Sequence, residues 1–200
     1  KLSFLLLILV AVACTNRSTS SEQDEMRHWN NVLQQINALL LENKARQTLD
    51  LAKQTLPEIL ESAEKNGTTD TLIYYARKIF NACGNNYINT KQYKDGIDYM
   101  DSIGNHPLIR EHCPHELLSF KAGLNQLYGN NPEAVRLAED YLQLPVCTSA
   151  NDFIRQAEII SGVYMYSGNN LPKAIQILEK AIDVYRKGGN PCYQVCRQAI

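Results

Sequence analysis

The chain lacks a hydrophobic run long enough to cross a membrane. Its longest largely apolar stretch, Leu2 to Ala13, covers twelve residues and includes Ser3. Those would make a helix of about 18 Å against a hydrocarbon core of about 30 Å. It also lacks an excess of charge of one sign: 20 basic and 21 acidic side chains leave a net charge of −1. A nucleic-acid footprint needs a concentrated basic face, so that class is excluded for this region. Catalytic signatures are missing as well: there is no glycine-rich phosphate loop, no Gly-x-Ser-x-Gly elbow and no His-Glu-x-x-His. Three of the four histidines fall within ten residues, which leaves little for a triad elsewhere. These residues are therefore expected to carry no enzyme activity and to need no cofactor. No alternating pattern bounded by turns predicts a strand, which points to an all-α chain.

What is present is a spacing that recurs three times. The first copy runs Gly84, Tyr87, Gly96, Met100, Ile103; the second Ala122, Asn125, Ala134, Ala138, Tyr141; the third Ser161, Tyr164, Ala174, Leu178, Ala181. Within a copy the second small residue follows the first by 12, 12 and 13 places, and from copy to copy it steps by 38 and 40. Small residues at such positions let two helix axes approach to the short end of about 8 to 10 Å. A repeat period of roughly 20 to 50 residues is that of a solenoid, in which each unit buries its apolar face against its neighbours.

The helices are expected at 27–41, 43–64, 69–90, 92–104, 115–128, 132–143, 150–167 and 171–187. Asn66-Gly67, Gly104-Asn105, Pro145 and Gly188-Gly189 mark their ends. Pro57 should kink or divide the second helix near Leu56, because an interior proline costs about 3 kcal/mol.

The residues Ile160, Ser161, Tyr164, Gly168, Ala174, Leu178 and Ala181 resemble the tetratricopeptide repeat. Gly129-Asn130-Asn131-Pro132 and Gly168-Asn169-Asn170 with Pro172 supply its turns. The copies run longer than the family's, Asn125 replaces an aromatic and Gly96 an alanine. A degenerate earlier copy falls around Val32, Leu33, Ile36, Ala45, Leu49 and Ala52. The resemblance covers about 27 to 200 and implies a right-handed solenoid of stacked antiparallel hairpins. It also implies a concave groove, lined by the first helix of each pair, that takes up a protein or peptide. Asn81, Asn85 and Asn89, four apart, form one polar stripe on the third helix, and a row of amides can pair with an extended backbone. By the same register Ser119, Gln126, Glu158, Met165 and Tyr166 should look into the groove. Tyr74, Tyr75, Tyr87, Tyr93 and Tyr99 are expected to pack between hairpins.

Lys1 followed by an apolar core and small residues describes a secretory signal over 1–13. Ala11-Val12-Ala13-Cys14 resembles the lipobox of bacterial lipoproteins, which implies lipidation of Cys14 and a membrane anchor at the periplasmic face of a Gram-negative envelope. Simple cleavage after Ala13 is the other reading, and both export the repeats. The polar stretch from Thr15 to Asp24 reads as a tether, so residues 14–26 are assigned to anchor and linker. The start without methionine and a final helix from Cys192 to Ile200 that stops uncapped suggest a piece of a longer protein. Behind such a signal, long degenerate repeats also resemble the N-terminal part of periplasmic sensor histidine kinases, which would imply a later membrane span, signalling and a homodimer.

Six cysteines are too few for a disulfide scaffold. With Cys14 lipidated, Cys83, Cys113, Cys147, Cys192 and Cys196 are expected mainly as free buried thiols; Cys192 and Cys196, one helical turn apart, are too distant to bridge. His112, Cys113 and His115, interrupted by Pro114, read as a loop leading into a helix rather than as a zinc site.

Overall fold

The computed structural model describes residues 20–145 and 150–187. The signal, Cys14, Cys147, Cys192, Cys196 and the final helix expected from 192 lie outside them. The described residues form nine helices and no strand: α1 (Ser20–Leu41), α2 (Ala45–Asn66), α3 (Asp70–Asn89), α4 (Tyr93–Ile103), α5 (Pro107–His112), α6 (Pro114–Tyr128), α7 (Asn131–Gln143), α8 (Ala150–Tyr166) and α9 (Leu171–Lys187).

Three features depart from the expected pattern. Helix α1 begins at Ser20, inside the stretch assigned to the tether. Ser62 Oγ of α2 fastens this helix at Glu25, donating to its carboxylate at 3.1 Å. Helix α2 runs unbroken through Pro57. Pro57 and Lys53, the residue whose carbonyl loses its intrahelical donor, both lie on the exposed side, where solvent can satisfy that carbonyl. Helix α5 has no counterpart in the sequence reading. It is a single short element opened by Pro107 and capped by His106, whose Nδ1 accepts from the Leu108 amide at 3.2 Å.

Helices pack on those next to them in the chain: α8 on α9, α6 on α7 and α2 on α3 most extensively, α1 on α2 and α3 on α4 less so. Further contacts join α1 to α3, α3 and α4 to α6, and α6 and α7 to α8, with α4 on α6 and α6 on α8 the most extensive of them, while α5 sits against α3 and α6. Turns of a few residues join α1 to α2, α3 to α4, α6 to α7 and α8 to α9. Asn43, Lys91, Gly129 and Asn169 take positive φ in these turns, and Gly129, at φ 94°, ends α6 before Pro132 opens α7.

The small residues of the recurring pattern mark where helices touch. A Cβ on Gly96 would fall 3.0 Å from the Cβ of Tyr87 across the α3–α4 pair. Ala122, Ala134, Ala138, Ala174 and Ala181 are fully buried, and Tyr87, Ser161, Tyr164 and Leu178 nearly so. One apolar core runs from Trp29 and Ile36 through Leu56, Ile79 and Phe80 to Phe120 and Leu124. A second joins Ala122, Leu137, Phe153, Val163 and Ile177. Both draw on α6, so that helix joins the two halves.

Candidate binding groove

Helix α3 buries Leu72, Ile79, Phe80, Cys83 and Tyr87 against its neighbours. The 3.6-residue period then turns Asn81, Asn85 and Asn89 toward the outside on one face. They line an open groove of about 770 Å³. Leu33, Asn37, Leu40 and the buried Ile36 of α1 and Arg155, Glu158 and Ile159 of α8 also line it. Tyr74, Lys78 and Ile88 complete the α3 surface.

The side chains in this groove are already partly committed. Asn85 Nδ2 donates to the Asn81 backbone carbonyl at 2.8 Å, which leaves Asn85 its Oδ1 acceptor and its second N–H to offer a ligand. Asn86 does the same with Ala82, also at 2.8 Å, but is fully buried. The Lys78 ammonium lies 5.7 Å from the centre of the Tyr74 ring, within reach of a cation–π contact. Burial raises the Glu158 carboxyl above the usual carboxylate range, with Arg155 pulling the other way. The groove thus offers amides, two cations, one carboxylate and apolar side chains. Its lining has no histidine, cysteine or serine.

The structure brings together Asn81, Asn85, Asn89 and Glu158 from the expected groove set and places the others elsewhere. Ser119 is fully buried on α6, its Oγ donating to the Glu116 carbonyl at 3.0 Å, so it does not face the groove. Gln126 is half-buried with its Oε1 toward Gly162 of α8. Met165 packs on the second core, and Tyr166 is exposed at the end of α8. The cause is that α6 is enclosed by α3, α4, α5, α7 and α8, and none of its residues from 114 to 126 is exposed. The α1 lining was missed, although Leu33, Ile36 and Leu40 recur at a helical spacing that marks an apolar stripe. Tyr74, expected to pack between hairpins, is half-exposed in the groove.

The residues weighed as a zinc cluster are spread among other contacts. Cys113 is buried, the His112 carbonyl accepts from Arg77 Nη2, and His115 Nε2 lies 2.6 Å from the Pro145 carbonyl oxygen. Among the described residues no three His, Cys, Asp or Glu side chains are placed to hold a metal ion, and no helix is long and apolar enough to cross a membrane. Compared with known protein families, characterised proteins and solved structures, the chain matches none.

Proposed function

We propose that this chain is an exported, lipid-anchored interaction module, a solenoid of tetratricopeptide-like hairpins that holds a segment of a partner protein in its groove. The observation that carries the reading is the stripe of Asn81, Asn85 and Asn89 along α3, which shares an open groove with residues of α1 and α8. Extensive packing only between helices near one another in the chain supports the solenoid, because each unit of such a stack buries its face against the next. Amides beside apolar side chains suit holding a ligand. The anchor rests on the sequence, in which Leu2 to Ala13 precedes Cys14.

Two measurements in cells test the reading. A photo-crosslinking residue at Asn85 should capture a discrete partner, while the same residue at Lys65, on the exposed side of α2, should not. Equal capture from both positions, or none from either, rejects the groove as the binding surface. Labelled palmitate should enter the chain and be lost with Cys14→Ser; incorporation that survives the substitution rejects Cys14 as the anchor.

A further inference from the structure

We propose that a second cleft, near the start of α1 and apart from the groove, binds a small hydroxylated amine of the amino-sugar or amino-alcohol kind. Its ammonium sits on Glu25 and one of its oxygens on the Trp29 indole N–H. This site is independent of what the groove holds.

The cleft has a volume of about 220 Å³ where α1 passes the turn between α2 and α3. A water takes about 30 Å³ of liquid, so the space is that of about seven waters and suits one small molecule. It falls below the roughly 300 to 1,000 Å³ of sites for drug-sized ligands. Glu25 and Trp29 line it from α1, and their four-residue spacing sets the Cβ atoms about 5 to 6 Å apart on one helix face. One compact molecule can therefore meet both.

The indole is the first pointer to a ligand. Trp29 is only 5% exposed, yet its Nε1 has no hydrogen-bond partner among the described residues. A buried tryptophan usually finds an acceptor for that hydrogen, and a ligand oxygen in the cleft supplies one. The second pointer is the carboxylate. Ser62 Oγ lies 3.1 and 3.2 Å from the two oxygens of Glu25, and Asn66 Nδ2 donates to the same Ser62 oxygen at 3.3 Å. This relay holds the carboxylate in place and leaves it lone pairs to offer. No lysine, arginine or histidine lines the cleft. The basic side chains next to it in the chain, Arg27, His28 and Lys65, face Asp24, Glu58 and Glu61 instead. A carboxylate so placed selects a cation that can donate hydrogen bonds.

The rest of the lining suits hydroxyl groups on a short carbon skeleton. Thr69 Oγ1 accepts from the Leu72 amide at 3.2 Å and keeps its hydrogen to donate, while Thr71 adds a second hydroxyl. Met26 and Leu72 offer an apolar side.

Trp29 is the single tryptophan of the chain, so the full chain labelled with nitrogen-15 gives one indole N–H signal in an NMR titration. Glucosamine at mildly acidic pH is the probe, with glucose and N-acetylglucosamine as uncharged controls. Glucosamine should move the indole signal and bind about tenfold more tightly than either control. Glu25→Gln, which keeps the shape of the side chain and an oxygen for Ser62, should remove that preference with the helical content unchanged by circular dichroism. Equal binding of glucosamine and glucose, or a preference that survives Glu25→Gln, overturns the placement of the ammonium on Glu25. An indole signal that stays still with glucosamine, ethanolamine and 3-aminopropanol alike rejects the cleft as a site for this class of ligand.

Discussion

The Phe120 ring lies against the backbone of Gly84, so close that a Cβ there would fall 2.4 Å from the ring. This contact brings α3 of one pair onto α6 of the next. In an exposed helix Gly→Ala would stabilise by up to about 1 kcal/mol. Here the neighbour is a core ring only 1% exposed, which cannot give way cheaply. Gly84→Ala should instead destabilise by about 2 kcal/mol, the overpacking range, and lower Tm by roughly 4 to 8 °C. Phe120→Leu in the same chain should recover part of that loss. Additive costs in the double-mutant cycle would show that the two residues do not meet.

Arg77 and Glu116 fasten the same two helices from another side. Arg77 Nε stands 3.3 Å from Glu116 Oε1, and the Glu116 side chain is only 2% exposed. Removing one member leaves a charge in a dry place, so Arg77→Leu should cost about 3 kcal/mol in urea unfolding. Replacing both residues by leucine should cost less than the single change, because no charge is then stranded. A loss below about 1 kcal/mol for Arg77→Leu would mean that water or another donor serves Glu116 as well.

How much of this was legible follows from what leaves a trace in sequence. Close approach of two helices demands a small side chain, so Gly84, Gly96, Ala122 and Ala134 point to where the pairs touch. The asparagine stripe is visible because four-residue spacing is itself a statement about one helix face. Helix α5 is too short to show a period, and its cap is a histidine rather than the usual Ser, Thr, Asp or Asn. Pro57 misleads because the cost of an interior proline depends on whether the lost carbonyl partner faces core or solvent. Ser119 misleads because a register carried from α3 to α6 ignores how many neighbours enclose the middle helix.

Asn86 is a local liability. It is fully buried, its Nδ2 donates to Ala82, and its Oδ1 has no hydrogen-bond partner among the described residues. A buried acceptor left unpaired costs about 1 to 3 kcal/mol. Leucine has a similar shape and needs no partner, so Asn86→Leu should raise Tm. A fall in Tm would show that the oxygen is satisfied and that the amide contributes to the fold.

Cys83 is expected to be inert while the chain is folded. Burial pushes its thiol up to about 12, although Tyr99 and Lys53 pull it down, so almost no thiolate exists at neutral pH. A thiol reagent should reach it only at the rate of opening, and reaction should become fast in denaturant. Rapid labelling of Cys83 in the native chain would place it at the surface.

Glu139 and Lys173 tie α7 to α9, and the tie should depend on pH. The Lys173 ammonium holds the Glu139 carboxyl below its ordinary value of 4.5 and also lies 4.5 Å from the centre of the Tyr164 ring. A carboxyl depressed in the folded state contributes stability that is fully present above its unfolded pKa and lost as pH falls through its folded pKa. The side chains are 46% and 28% exposed, so solvent screening keeps the pair to about 1 kcal/mol at most. Lys173→Met should therefore be less stable than the parent at pH 7, and the gap should narrow between about pH 5 and pH 3. What remains below pH 3 reports the contact with Tyr164, which does not need the carboxylate. A gap that stays constant across the range would show that Glu139 is not the partner of Lys173 in solution.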